Sequence, residues 1–413
     1  MTDPALTPPS APLPLRVAVC GTRVLPRDGR WYTPHSFGRV VDLLAARVAH
    51  VEYRDAEAPA SLAADFDYPF AAPNVRITLG TACANTLQAV RHPWRLLRHY
   101  WNLVGSGDVV FLRGSAPFIW AAHWMARLRG RGVVHWIVGN PVAILRGEQR
   151  GYGSLMQKLG LLFARFEQRM TRWSCRISRA HVLTNGQELA QLFAGPRTTE
   201  VVSTSITADD FRTLDDTCAG PTVRLLFVGY IRPEKGLEYL IRALPLVRSE
   251  RPCQLTIVGS WSQFAGERDR LAGLASELGV AERVTWAGAA AFGRELFERI
   301  DDADLLILPS LSEGTPRVLL EARARSVPVI STRVGGIPSS VRDGVDGLLV
   351  PPRDPAALAA AISRLIQDVP LRRAVIQAGR ERVRQLTLER FVDTLVQRLA
   401  AASAATGRAA CAS

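Results

Sequence analysis

Lysine is almost missing from this chain: of its 51 cationic residues only Lys158 and Lys235 are lysines. The six cysteines, at 20, 83, 175, 218, 253 and 411, form no Cys-x-x-Cys pair and fall at no metal-ligand spacing. That argues against a disulfide framework and fits thiols kept reduced in a cytoplasm. No uncharged apolar run reaches the roughly 18 residues that a membrane-spanning helix needs. The opening "MTDPALTPPSAPLPL" lacks a cationic start and a continuous apolar region, so it reads as a disordered arm and not as a signal peptide. No G-x-x-x-x-G-K-[ST] loop occurs, which argues against an ATPase. Histidine stops early: all seven, at 35, 50, 92, 99, 123, 135 and 181, precede residue 182.

What is present points to a folded protein of two domains. The 413 residues exceed what one hydrophobic core usually supports, and 47% hydrophobic with 22% charged residues excludes a disordered chain. The net charge of +13 is regional: residues 76–179 hold 16 cations against three acids, Asp108, Glu148 and Glu167, and the remainder is neutral.

Short runs rich in valine, isoleucine and leucine alternate with helix-length amphipathic runs, the pattern of parallel sheets flanked by helices. The first half predicts strands at 15–21, 108–114, 132–138 and 180–184. After the polar stretch 207–222 a second series follows, at 223–229, 254–259, 283–288, 304–310 and 327–332. The expected organisation is a disordered arm 1–14, a first doubly wound domain 15–206, a linker 207–222, a second doubly wound domain 223–388, a helix 389–404 packing back toward the first domain, and a tail 405–413. No repeat of fixed period occurs, and low complexity is confined to the termini.

Doubly wound sheets bind ligands outside the carboxyl ends of their strands. The first such loop of the second domain, "VGYIRPEKGLEYL", places Gly229, Arg232 and Lys235 after a strand, with a helix expected near Glu234. Glycine permits close approach of a ligand, and two cations at a helix start suit an anion; the alternative is an ordinary turn with solvated charges. Further on, "LPSLSEGTPRVLLEARARS" puts Glu313 in a loop beyond a buried strand and Glu321 about a turn and a half inside the next helix, with Pro316 in its first turn. Both acids can face one crevice together with the backbone N–H groups near Arg317 and Val318, and a carboxylate accepts well from paired hydroxyls. The plainer alternative has Glu313 capping the helix and Glu321 as a surface charge. "DFD" at 65–67 resembles an aspartate metal motif but follows no apolar strand, so no metal is expected.

Arg232 and Lys235, "SEGTPRVLLEARARSVPVISTRVGG" and "DGVDGLLVPP" together resemble the retaining family 4 glycosyltransferases, the glycosyl transferases of group 1, over about 220–400. The resemblance implies an α/β GT-B fold: two Rossmann-like domains facing a central cleft, the first binding acceptor and the second a nucleotide sugar. Carried onto this chain, it implies that Arg232 and Lys235 hold the donor diphosphate, that Glu321 holds the ribose, and that Glu313 with the backbone after Gly314, and at Val318, holds the transferred sugar. In the first domain a glycine-rich loop would touch the diphosphate; here it reads "CGTRVLPRDGRWYTPHS", without the usual tandem glycine, leaving Gly21 as first candidate and Gly29 as second. Where many members carry a histidine near the reacting sugar, this chain has Gly139 and Asn140, with His135 inside the preceding strand.

The implied activity is a metal-independent, retaining hexosyl transfer from a UDP-, GDP- or ADP-sugar to a saccharide or lipid-linked acceptor, in surface polysaccharide or glycolipid synthesis, with no bound cofactor. A nucleotide-sugar epimerase or hydrolase on the same fold is the alternative enzyme, and a basic nucleic-acid-binding protein is the alternative of another class, although no helix-turn-helix or aromatic stacking motif supports it. The basic segment suggests instead a cytoplasmic protein peripheral on an anionic membrane. In 154–179, Leu155, Leu159, Leu162, Phe166, Met170, Trp173 and Ile177 form one helical stripe beside Lys158, Arg165, Arg169, Arg172, Arg176 and Arg179. Arg91, Arg95 and Arg98 lie similarly beside Trp94, Leu97 and Trp101. Cations beside apolar residues suit an anionic lipid surface; the alternative is a stripe packed on the sheet with its arginines solvated.

Overall fold

The computed structural model describes residues 11–59, 63, 66–80, 86–147, 155–261 and 264–407. The chain forms two compact units, Met1–Ser203 with Glu389–Ser413, and Thr204–Leu388. Most of the expected arm and tail, together with Cys83, Cys411, Glu148 and Asp65, lies outside the described residues.

The first unit is built on a parallel seven-stranded sheet, in the order Thr198–Val201, His181–Asn185, Gly132–Ile137, Val109–Arg113, Leu13–Cys20, Val48–Asp55 and Val75–Leu79. Its central strands are the continuous apolar runs visible in the sequence, as strands covered by helices on both faces must be. Three strands not expected from the sequence are of another kind. "VAHVEYRD" (Val48–Asp55) mixes polar residues into its run, and Val75–Leu79 and Thr198–Val201 are half-exposed edges. The long loop after the first strand is also not featureless. Leu25–Arg27 and Arg30–Thr33 form an antiparallel hairpin, joined by Tyr68–Pro69. Its two-residue turn, Asp28 (φ 52°) and Gly29 (φ 71°), has the positive angles that a tight right-twisted hairpin requires.

The closing helix, Leu388–Ala404, belongs to this first unit from Glu389 onward. The Phe391 ring lies 4.5 Å from that of Trp136, tilted by 44°, Asp393 pairs with Arg47 at 2.7 Å, and a Cβ on Gly132 would lie 2.3 Å from the Ala402 carbonyl oxygen.

The second unit carries a parallel six-stranded sheet in the order Val284–Gly288, Cys253–Val258, Val223–Val228, Leu305–Leu308, Val329–Thr332 and Leu348–Val350. The stretch 207–222, expected as a linker, is bonded into this unit. Arg212 N–H donates to Ala324 O (3.0 Å), Leu214 N–H to Ser326 Oγ (3.1 Å) and Cys218 N–H to Asp304 Oδ1 (2.9 Å). A guanidinium lies in the core: Arg323, 2% exposed, donates to the Leu319 and Ser340 carbonyls and pairs with Asp346 at 3.1 Å. Among the described residues no helix is long and apolar enough to cross a membrane, and Cys20, Cys175, Cys218 and Cys253 are buried free thiols.

Candidate functional site

In the second unit, strand Val223–Val228 has Cys253–Val258 on one side and Leu305–Leu308 on the other. Chain order reverses there, and a crevice opens at the carboxyl ends of such strands. The first strand runs into Gly229, whose N–H donates to Val258 O at 2.9 Å. Gly259 must be glycine because a Cβ there would sit 1.8 Å from the Gly229 carbonyl oxygen. The cations then lie in a single 3₁₀ turn, Pro233–Lys235, with Arg232 just before it, and the helix expected near Glu234 begins at Leu237. The two helical pieces meet at Gly236, left-handed at φ 65°, where a Cβ would lie 2.1 Å from the Pro309 carbonyl oxygen. The Arg232 guanidinium lies 5.0 Å from the Tyr230 ring centre and 5.6 Å from that of Phe264, and its Nη1 is 3.7 Å from Glu234 Oε1.

The second loop leaves the adjacent strand, which ends at Leu308 and not at 310. Leu311 N–H donates to Glu234 O at 2.8 Å, tying the two loops together, and Thr332 Oγ1 donates to Ser310 O. Gly335 (φ 52°) and Gly336 pack so closely that Cβ atoms would lie 1.8 Å from Glu313 O and 2.3 Å from Gly314 O. Glu313 is thereby brought to Lys235: Nζ donates to Oε1 at 2.5 Å, and Ser310 Oγ donates to the same oxygen at 2.8 Å. The side chains are 20% and 10% exposed. Among the described residues no donor reaches Glu313 Oε2. Glu313 caps no helix, so the plainer reading of it fails.

Glu321 differs. Its helix runs Val318–Ala324 with Arg317 as N-cap, so Pro316 precedes the helix and Glu321 lies one turn in. It is 4% exposed, not a surface charge, and accepts from Ser205 Oγ at 2.6 Å. Burial pushes its carboxyl above the usual range; the Ser205 hydrogen bond and the Arg317 charge offset part of this, and Asp210 adds to it. Ser205, itself 1% exposed, carries no sequence signal: it stands 116 positions away in a polar stretch. The structure joins Glu313 to Lys235 and Glu321 to Ser205, and not the two acids to each other.

In the first unit Gly21 directly follows the first strand. Its N–H donates to Asp55 Oδ2 at 3.0 Å, and a Cβ would lie 2.5 Å from the Phe37 ring, so packing alone demands glycine. Gly29 serves the hairpin turn. His135 is fully buried in its strand, and Asn140 accepts from Gln168 Nε2 (3.0 Å) and donates to Glu188 Oε1 (3.1 Å). Of the "DFD" acids, Asp67 accepts from the His35 backbone at 3.0 Å.

Helix Leu155–Ile177 has its expected sides reversed relative to the packed-stripe alternative. Leu159, Leu162, Phe166 and Trp173 are about half exposed or more, beside exposed Lys158, Arg165, Arg169 and Arg176. The buried side is small and polar: Ala164, Thr171, Ser174 and Cys175. Trp94 and Trp101 are exposed as well, Arg129 lying 3.8 Å over the Trp101 ring.

The family model described as "Glycosyl transferases group 1" matches residues 222–368. D-inositol 3-phosphate glycosyltransferase of Geodermatophilus obscurus is 31% identical over 74% of this chain and 66% of its own length, and that of Salinispora arenicola 30% identical over 80% and 73%. Among solved structures, a sucrose-phosphate synthase from Thermosynechococcus elongatus superposes with TM-score 0.68 at 21% identity, over 95% of this chain and 99% of that one. Anabaena HepE, solved with UDP-glucose, gives 0.62 at 16% identity over 95% and 100%. These two likenesses concern the fold.

Proposed function

The chain belongs to the group 1 glycosyltransferases and has their two-domain GT-B fold, and from that premise we propose that it moves a hexose from a nucleoside diphosphate sugar to a saccharide or lipid-linked acceptor with retention of configuration. The observation that carries this reading is the Lys235–Glu313 pair, held at the chain-order reversal by two loops that glycines lock together.

Breaking a sugar–diphosphate bond puts negative charge on the leaving phosphate, so fixed cations aimed there favour the transition state over the ground state. Lys235 has three ammonium protons and spends one on Glu313, leaving two for phosphate oxygens. Arg232 supplies the second cation. Glu313 keeps Oε2 for a hydroxyl of the transferred sugar, assisted by the Gly314 and Val318 backbone. Glu321, steadied by Ser205, takes the ribose hydroxyls. In a same-face attack the leaving phosphate oxygen accepts the acceptor's proton, so no separate base is required, and the second unit, Thr204–Leu388, contains no histidine. Cytoplasmic work on an anionic membrane, in surface polysaccharide or glycolipid synthesis, is supported by the exposed Leu159, Leu162, Phe166 and Trp173 among cations.

Purified protein incubated with UDP-, GDP- and ADP-sugars tests the reading. Acceptors should include saccharides, lipid-linked sugars and D-inositol 3-phosphate, the last because the relatives' names include it. Transfer with retained configuration, unaffected by chelating divalent metal, is expected. Sugar released only to water, or epimerised donor, would replace it with the hydrolase or epimerase reading. Salt-sensitive binding to DNA alone would favour the nucleic-acid reading.

A further inference from the structure

Three elements of the first unit converge on one point of its core. Helix Ile119–Leu128 brings His123, strand Gly132–Ile137 brings His135 and helix Leu155–Ile177 brings Cys175. Exposures are 0%, 0% and 6%. The ligand-capable atoms all lie within 4.8 Å of one another. His123 Nε2 is 3.0 Å from His135 Nδ1 and 3.9 Å from Cys175 Sγ.

The outer nitrogens fix the chemistry of the inner ones. His135 Nε2 donates to Gly114 O at 2.8 Å, so its Nδ1 presents a lone pair to the interior. His123 Nδ1 faces Ser178 Oγ at 3.1 Å. A backbone carbonyl and a hydroxyl behind the two imidazoles are what metal-bound histidines use to set tautomer and ring direction. A metal ion takes imidazole as the neutral base and sulfur as the thiolate; burial favours the neutral imidazoles but raises the Cys175 thiol, whose proton the ion has to displace.

We propose that His123, His135 and Cys175 form a closed three-coordinate site for one thiophilic monovalent cation, cuprous copper. Bonds of about 2.0–2.3 Å keep ligand atoms about 3.3–3.7 Å apart, so the imidazole nitrogens, 3.0 Å apart, open by about half an ångström, and the thiol, within 4.8 Å of both, closes by up to about 1 Å. Thiolate with imidazole suits Cu(I) or Zn(II). Charge and coordination number select between them. One thiolate neutralises one monovalent ion, whereas a divalent ion leaves a net positive charge in a buried site that no carboxylate joins among the described residues, and structural zinc takes four ligands.

The protons balance. Cys175 releases its thiol proton to solvent as the S–Cu bond forms. His123 moves its proton from Nε2 to Nδ1 and donates it to Ser178 Oγ. The Ser178 hydroxyl, no longer donating to His123, keeps its second acceptor, the Cys175 carbonyl oxygen at 3.4 Å. One proton leaves per ion bound. The sequence hides the site because its ligands stand 12 and 40 positions apart on separate elements, and none of them is assigned to sugar transfer.

Full-length metal-free protein, titrated anaerobically with Cu(I) against a chromogenic cuprous chelator, should take one equivalent, release one proton per ion and melt at a higher temperature. Cys175→Ala should lose affinity by at least about 100-fold, and Ser178→Ala, which keeps all three ligands, by about 10–100-fold. X-ray absorption of the wild-type complex should show one sulfur and two nitrogens, a reading that survives even if a variant misfolds. Copper left with the chelator, unchanged affinity in Cys175→Ala, a first shell without sulfur, or preferential retention of Zn(II) would each overturn the proposal.

Discussion

Replacing Lys235 by methionine keeps the length of the stem and deletes the ammonium, and its two consequences can be separated. Glu313 loses a donor at 2.5 Å and retains only Ser310 Oγ at 2.8 Å, with its side chain 10% exposed. At 2.5 Å and an effective dielectric near 20 the lost attraction is on the order of 7 kcal/mol, offset in part by the desolvation that the ammonium no longer suffers, whereas that of Glu313 remains. A carboxylate left short of one charged hydrogen bond costs about 1–3 kcal/mol, or about 2–12 °C in the melting temperature of a unit this size. Turnover should fall further, on the order of 100-fold or more, because the ammonium acts where charge develops. Calorimetry reads the first effect and donor consumption at saturating acceptor reads the second. Adding Glu313→Gln removes the stranded charge, keeps an oxygen for Ser310, and should return stability to within about 1 kcal/mol of wild type while turnover stays low. Turnover within about threefold of wild type in Lys235→Met, or recovered together with stability in the double variant, refutes the leaving-group role.

Glu321→Gln should weaken nucleoside diphosphate binding in calorimetric titrations yet stabilise the protein near neutrality. A carboxyl raised by burial favours the fold most below the unfolded value of about 4.3, and that contribution is lost as pH rises through the folded value, so the variant's advantage in melting temperature should grow from pH 4 upward and then level off. Asp346→Ala strands the buried Arg323 guanidinium and should cost about 3–5 kcal/mol in denaturant unfolding of the second unit, with little change in the first. Trp173→Glu should reduce flotation with anionic liposomes at low salt and leave transfer to a water-soluble acceptor unchanged; equal flotation would remove the docking role of that helix.

Most strands that could be read from sequence are buried on both faces, such as "LLIL" at Leu305–Leu308, where apolar residues need not alternate; the edge Val284–Gly288 is legible as well, and the buried Leu348–Val350, only three residues long, is not. Edges such as Val75–Leu79 escape because half their side chains meet water. Lys235 and Glu313 were each legible as chemistry, but their pairing was not, being set by which strands lie side by side, 78 positions apart. Ser205 was invisible. For helix Leu155–Ile177 the periodicity marks an apolar stripe without saying which side faces inward, since a small polar side buried against neighbouring helices leaves the same pattern.

The closing helix also imposes an order of events on synthesis. A chain made from its first residue onward has residues 1–203 in hand while Phe391, Asp393 and Ala402, which cover Trp136, Arg47 and Gly132, do not yet exist. At about 5–20 residues per second the gap is roughly 10–40 s. During that interval the first half carries an uncovered aromatic face and must wait, while the second half, Thr204–Leu388, is complete as soon as it emerges. The half that begins first is the half that finishes last, so a premature stop after Leu388 would spare the later-made unit and damage the earlier one.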